Sequence, residues 1–505
     1  MKKFNFLLLL FLLSILLCSQ LKAQTTQSVL DRANELVVNG RLEEAQTYLE
    51  RFHRANPKEI KITIACANVA YQNKRYGLFM DLYTEAMEMQ PNNYPIKLDY
   101  ARMLFDVNEY ETALPILEEY LTYDPVNIEA LLDKAIILKS NEDFIESYNA
   151  VSKVLTKDPT NVTARDLKAE LLVLKSKWAK LTANYSSNSQ SFDVFAPVLE
   201  GGIYFSPLSS PRLSISPMLF QRTKGDNISI YRLQFDNRSY IKELGVASDY
   251  GAGLIMYPGT EFDVTARVRF EKFAERYILL TIGAERKPYF ASVFSIDTTV
   301  MTHAASGSIT LTTKESWNGK ASLETVFFDG VDNPVTTLTG ILYTPRLKFK
   351  DFDFKIGYGF NLSTSKLEKF ASDKTPEQIL NSGTSAPFFG GDYYPYYTPK
   401  NLLSQSAYFA FGYYPTIETQ ASLTVGYGLS GSAEKPYFFR DVNAIGQVYL
   451  SRGYVKENFT PVDVNFSVHS LITPKIEMNI DFNYSKNYFY IIRTLALGVK
   501  VNFWK

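Results

Sequence analysis

The residues from Lys475 to Lys505 constrain the fold most, because apolar and polar side chains alternate there with a period of two. Ile476, Met478, Ile480, Phe482 and Tyr484 form one row, and Glu477, Asn479, Asp481 and Asn483 form the other. A second alternation sets Leu495, Leu497, Val499, Val501 and Phe503 against Ala496, Gly498, Lys500, Asn502 and Trp504. Two such strands suit a wall with lipid on one side and water on the other, so they are read as transmembrane β-strands. A soluble sandwich shows the same alternation but does not need an amphipathic last strand closed by aromatic residues.

The pattern recurs upstream as far as Trp178, where composition shifts toward Tyr, Phe, Ser, Thr and Gly. Val264, Ala266, Val268 and Phe270 alternate with Thr265, Arg267 and Arg269. The same holds for Phe352, Phe354, Ile356, Tyr358, Phe360 and Leu362 against Asp353, Lys355, Gly357, Gly359 and Asn361. Val464, Phe466 and Val468 face away from Asp463, Asn465 and Ser467. Further strands are expected near 179–186, 195–206, 211–221, 227–236, 243–256, 276–285, 304–314, 318–328, 335–349, 403–414, 416–430 and 441–451. These come to about 17, and a bacterial single-chain barrel takes an even number, so 178–505 is expected to form an antiparallel transmembrane β-barrel of about 16 strands, with 14 as the alternative. The alternation turns Arg267, Arg269, Glu324, Lys355, Glu477, Asp481 and Lys500 toward the lumen. Their mixed sign argues against strong ion selectivity and suits a neutral polar solute or polymer.

Residues 24–177 follow another period. Pro57, Pro91, Pro125 and Pro159 are spaced by 34, and so are Ala33, Ala67, Ala101, Ala135 and Ala169. A second row holds Ala45, Phe79, Ala113 and Ser147, and a third Leu42, Tyr76, Tyr110 and Phe144. Step and residue types resemble tetratricopeptide repeats, in which small residues let paired helices approach and proline ends the second. The resemblance implies an α-helical solenoid of four repeats, closed by a capping helix within Asn161–Lys177. Phe79 stands where a small residue is expected, so looser packing is expected there. Asn68, Gln72, Asp99, Arg102 and Asp133 are candidates to line a partner-binding groove.

Residues 1–23 have a basic start, an apolar run from Phe6 to Cys18 and a small residue, Ala23, which together read as a cleaved signal peptide. Leu17 is too bulky to precede a lipid-modified Cys18. Beyond the leader no stretch reaches the roughly 18 apolar residues of a membrane helix. Lys plus Arg and Asp plus Glu both number 53, which removes the basic excess that a nucleic-acid partner would require. Cys66 remains alone, without a disulfide partner, and His53, His303 and His469 lie too far apart in sequence to suggest a metal site. There is no phosphate loop, no nucleophile elbow and no histidine beside a Ser or Cys, so neither an enzyme nor a cofactor is expected. Glu377 and Asp392 are read as solvated loop acids rather than a glycosidase pair.

The longest irregular segment runs from Ser363 to Lys400 and ends APFFGGDYYPYYTPK. Loops of this length are functional or disordered, and here prolines restrict the chain. Tyr393, Tyr394, Tyr396 and Tyr397 are candidate polymer contacts, since flat rings with a polar tip suit sugars. The alternative places them in an aromatic girdle.

The order of leader, repeats and barrel, the Tyr397-Thr398-Pro399 run before the strand at Leu403, and Tyr204-Phe205-Ser206-Pro207 resemble outer-membrane porins that export cellulose or poly-N-acetylglucosamine. Phe503 near the terminus resembles the strand signal read by the barrel assembly machinery. The resemblance implies a bacterial outer-membrane location, repeats in the periplasm, and outer-membrane lipid and a polysaccharide or periplasmic protein as partners. Barrels of the YaiO type are a second resemblance, from which no function follows. An open lumen would favour export. A lumen plugged by inward side chains or by residues 363–400 would favour an anchored scaffold protein.

Overall fold

The computed structural model describes residues 25–504 apart from 224, 260, 276, 314–315, 383–387 and 417. The leader, with Cys18 and Ala23, and Lys505 lie outside the described residues. The chain forms two compact units, Met1–Ile137 with Lys153–Pro159, and Leu138–Ser152 with Thr160–Lys505.

The helices keep the 34-residue step at their boundaries. First helices are α1 (Thr26–Val38), α3 (Ile60–Gln72), α5 (Tyr94–Asp106) and α7 (Ile128–Ser140); second helices are α2 (Leu42–Ala55), α4 (Tyr76–Met89), α6 (Tyr110–Tyr123) and α8 (Phe144–Lys157); α9 (Val162–Leu174) follows in register. The turn inside each repeat is the same device. Gly40, Lys74, Asn108 and Glu142 adopt left-handed backbone, with φ of 73°, 62°, 60° and 57°. The next amide then donates back to the helix, Arg41 to Leu36, Arg75 to Ala70, Glu109 to Leu104 and Asp143 to Leu138, at 2.8–2.9 Å. This is the six-to-one bond that satisfies an otherwise orphaned helix carbonyl.

Ala45, Ala67, Ala101, Ala113 and Ala135 are fully buried, as the small-residue rows require. Phe79 corrects the expectation of looser packing, because it is fully buried too. Its ring lies 5.5 Å from each of Tyr71, Tyr83 and Tyr100, and Tyr83 stacks on Tyr100 at 4.9 Å. Aromatic neighbours fill the space that a small residue would have left to the facing helix. Cys66 is buried beneath Gln46, whose amide donates to its sulfur at 3.2 Å, and burial pushes the thiol up to about 11. Such a thiol is inert at neutral pH.

The sheet is a closed antiparallel barrel of 16 strands. They are β1 (Lys177–Asn188), β2 (Phe192–Phe195 and Val198–Gly202), β3 (Ser210–Arg222), β4 (Ile228–Ile241), β5 (Val246–Met256), β6 (Phe262–Glu275), β7 (Ile278–Pro288) and β8 (Met301–Thr312). The second half comprises β9 (Asn318–Phe328), β10 (Val331–Tyr343), β11 (Phe352–Ser365), β12 (Leu402–Tyr413), β13 (Thr419–Val442), β14 (Val448–Asn458 and Val462–Thr473), β15 (Ile476–Lys486) and β16 (Ile491–Phe503). β16 closes on β1 from Lys177↔Phe503 to Asn188↔Ile492, so the wall has no free edge. Pro197 and Pro461 lack an N–H, and the ladder of β2 and of β14 breaks at them.

The strand expected at 441–451 is not one strand. β13 continues past the wall for its second half, pairs there with Val448–Asn458, and turns over at Asn443–Gln447. Alternation persists through such a hairpin arm, so sequence alone counts the arm as a wall strand. Outward rows such as Met478, Ile480 and Phe482, or Leu495, Leu497 and Val499, are exposed apolar surface. Among the described residues no helix is long and apolar enough to cross a membrane. A closed barrel with an apolar outside points to an outer-membrane protein.

Candidate functional site: the roofed mouth of the barrel

Two connections at the same end of the barrel fold inward. Residues 289–300, between β7 and β8, carry a short helix, α10 (Val293–Asp297), whose start is fixed by a capping box of Ser292 and Ser295. Ile296 buries against Phe220, Ile230 and Ile255, inward residues of β3, β4 and β5. Arg222 pairs with Asp297 at 2.5 Å, and the Asn188 amide at the end of β1 donates to the Ala291 carbonyl at 3.4 Å. The connection therefore reaches from its own strands to the opposite side of the mouth.

Residues 366–401, between β11 and β12, form the second cover. A small hairpin pairs Phe370–Ser372 with Gly391–Tyr393, and α11 (Pro376–Leu380) starts from a Thr375–Gln378 capping box and buries Ile379. Phe389 exchanges two backbone bonds with Phe438 on the arm of β13, at 2.8 and 2.9 Å. Ser292 donates to the Pro395 carbonyl at 3.3 Å, which joins the two covers.

The four tyrosines take different places. Tyr396 is buried, stacked on Phe328 with centroids 3.5 Å apart, and its hydroxyl accepts from the Asn333 amide at 3.4 Å. Tyr397 is half-buried, stacked on Phe489 at 4.5 Å. Tyr393 is buried edge-on to Tyr397 at 4.8 Å. Burial pushes the phenols of Tyr393, Tyr396 and Tyr397 above their ordinary range. Tyr394 alone is exposed, its ring edge-on to Phe294 at 5.0 Å. Three of the four thus hold the roof, and one presents a face.

Below the roof the inner wall is polar and extensively paired. Arg267 meets Asp236 at 2.8 Å, Arg269 meets Glu271 at 2.6 Å, and Glu477 binds Lys500 at 3.0 Å and the Asn502 amide at 2.8 Å. Asp481 accepts from Ser467 and Asn479, both at 2.6 Å. Glu324 and Lys355 stand in inward rows, Glu324 opposite Thr337 and Ser306, and Lys355 opposite Ala410.

A second cluster on this wall escaped sequence reading. Arg238 grips Glu142 through Nε and Nη2 at 2.6–3.0 Å and reaches Asp249 at 2.8 Å, which Arg212 meets at 2.9 Å. The Tyr204 hydroxyl donates to the Glu142 carbonyl at 2.6 Å and accepts from the Phe144 amide at 3.1 Å. The outward partners of Asp236 and Arg238 are Asn237 and Ser239, so the alternation fades where the strand nears the rim.

On the repeats, Asn68 accepts from the Tyr83 hydroxyl at 2.8 Å, and Arg102 lies 3.9 Å from Asp133 and bonds Glu129. Burial pushes the Asp133 carboxyl up from 3.8 to about 6, with Arg102 opposing and Asp106 and Glu129 adding. A raised carboxyl lends stability that is full below 3.8 and lost as pH rises through about 6. Asp133→Asn should therefore melt higher than the native chain at pH 7.5, by about 1 kcal/mol after allowance for solvent screening, and lose the difference by pH 4. Helix ellipticity of the full chain in detergent, followed against temperature, measures this. Among the described residues no group of three His, Cys, Asp or Glu is placed to hold a metal.

No family model matches the chain, and no curated protein matches it. Among solved structures it is similar to one described as a bacterial polysaccharide outer membrane secretin, at 8% identity and a TM-score of 0.46, covering 65% of this chain and 99% of that one. It is also similar to MamA from Desulfovibrio magneticus RS-1, at 17% identity and a TM-score of 0.28 over 30% of this chain and 86% of that one. A third is YrrB, described as a tetratricopeptide-repeat protein with an unusual peptide-binding site, at 18% identity and a TM-score of 0.27 over 30% of this chain and 77% of that one.

Proposed function

We propose that the protein is a gated exporter that passes a polysaccharide across the outer membrane, with its repeats in the periplasm. The observation that carries this reading is that the two covers are held to each other by few contacts; closure of the mouth by residues 366–401 would on its own favour the anchored scaffold. A barrel of 16 strands is wide enough for an aqueous lumen, and the cover over it consists of two connections, each rooted at both ends in the wall. Their mutual contacts are the edge-on rings of Phe294 with Tyr394 and of Tyr289 with Tyr396 and the Ser292 bond to Pro395, which a segment can release without unfolding a strand. The paired inner wall offers closely spaced donors and acceptors and suits an uncharged, hydroxyl-rich chain.

The roofed mouth also favours a second reading, in which the barrel anchors repeats that recruit a periplasmic protein. Deleting the gene from its native host separates the two. Export predicts that polymer disappears from the medium and accumulates inside, and that Tyr394→Ala lowers secretion several-fold with unchanged barrel in the membrane. Normal secretion in the deletion strain would leave the anchor reading.

A further inference from the structure

At the rim between the two covers lies a cavity of about 390 Å³ that the export reading leaves unassigned. Its walls include Asp263, Thr299, Asp329, Lys369, Pro395 and Tyr396. We propose that this cavity binds one neutral pyranose unit of a saccharide chain, an inference that rests on the polysaccharide reading.

One wall is flat and apolar. Pro395 stands beside Tyr396, whose ring is buried in its stack on Phe328 and so fixes that wall, and the proline ring is the surface left for the C–H face of a sugar. The polar groups are held in place and balanced in charge. Arg286 donates to Asp329 at 2.9 Å and to Asp263 at 3.4 Å, and His303 lies 2.7 Å from the second Asp329 oxygen. The carboxylates are thus oriented, with lone pairs left to accept from hydroxyls.

Lys369 supplies the complementary donor. Its ammonium makes no ion pair or hydrogen bond among the described residues, while its backbone is pinned on both sides, the amide donating to Thr398 at 3.0 Å and the carbonyl accepting from Tyr394 at 2.8 Å. Thr299, a β-branched residue, is held at a φ of 45°, where such side chains are strained, and strain of this kind gathers at ligand clamps. Two carboxylates of the lining are paired from behind by the Arg286 guanidinium and face the Lys369 ammonium, so the formal charges balance with His303 neutral. An acidic sugar would meet the aspartates and an amino sugar the two cations, so the neutral ring is favoured.

The test is calorimetric titration of the full chain in detergent with soluble hexamers of glucose, of N-acetylglucosamine, of glucosamine and of galacturonate. A neutral hexamer should bind, and both charged hexamers at least about tenfold more weakly. Lys369→Ala and Asp329→Asn should each weaken the neutral hexamer about fivefold or more, while Lys348→Ala, on the turn between β10 and β11 at the other end of the barrel, should not. Binding of a charged hexamer as tightly as the neutral ones, no binding of any hexamer, or indifference to both cavity substitutions would overturn the proposal. If the neutral hexamer binds here but secretion survives gene deletion, the export reading fails and the site stands. Loss of secretion on deletion without binding gives the reverse.

Discussion

Deleting residues 386–398 should raise the conductance of the protein in a planar bilayer by about tenfold or more, because a wall of this many strands encloses water and the deletion opens one of its two covers. The deletion removes the Tyr396 stack on Phe328, the Tyr397 stack on Phe489 and the Phe389 pairing to the arm of β13. It leaves the wall alone, since β11 and β12 pair with each other from Phe352↔Tyr413 to Ser363↔Leu402. Gly391→Val should move conductance in the same direction by a smaller amount. A Cβ at that position would fall 1.9 Å from the Ala371 carbonyl oxygen, so the small hairpin of the second cover could not close. Unaltered conductance after the deletion would mean that residues 289–300 or the lumen below them keep the barrel shut, and the anchor reading would then be the better one.

The second large effect is expected at Arg238. Replacing it with Ala leaves Glu142 and Asp249 facing each other without the guanidinium that bridges them at 2.6–3.0 Å. Loss of one partner from a fully buried pair costs about 3–5 kcal/mol, but this arginine is one-third exposed, so about 1–2 kcal/mol is expected here. The turn 140–144 should open more often in proportion. Hydrogen exchange at the Phe144 amide, now held by Tyr204, should quicken about tenfold, with Arg238→Lys intermediate because an ammonium cannot make the forked contact. Exchange unchanged in Arg238→Ala would show that the Tyr204 and Tyr240 hydroxyls and the turn's own backbone bonds hold it without the arginine.

The wall and the repeats were legible in the sequence because each is a periodic object. Rows such as Ile480 with Phe482, or Ala67 with Ala101, repeat the same burial at a fixed interval, and period translates directly into face. What stayed hidden depends on partners distant in sequence. The arm at Asn443 alternates like any wall strand, and only its pairing shows that it stands beyond the wall. Phe79 looked too large because Tyr71 and Tyr100, which help to receive it, come from neighbouring helices. The tyrosine cluster was recognisable as special from composition. Its division into three packing rings and one exposed ring was not, since Phe328 and Phe489 lie on other strands and turns.

The left-handed turns inside the repeats have a further meaning. Gly40 sits there without strain and Asn108 tolerates it, whereas Lys74 and Glu142 carry side chains into a conformation that disfavours them. At Glu142 the carboxylate reaches Arg238, so local discomfort is exchanged for a bond to a residue 96 positions away. The four repeats share helix boundaries to the residue, yet they are not interchangeable modules. Transplanting the first turn, glycine included, into the fourth would make a more relaxed helical pair and erase its address on the barrel.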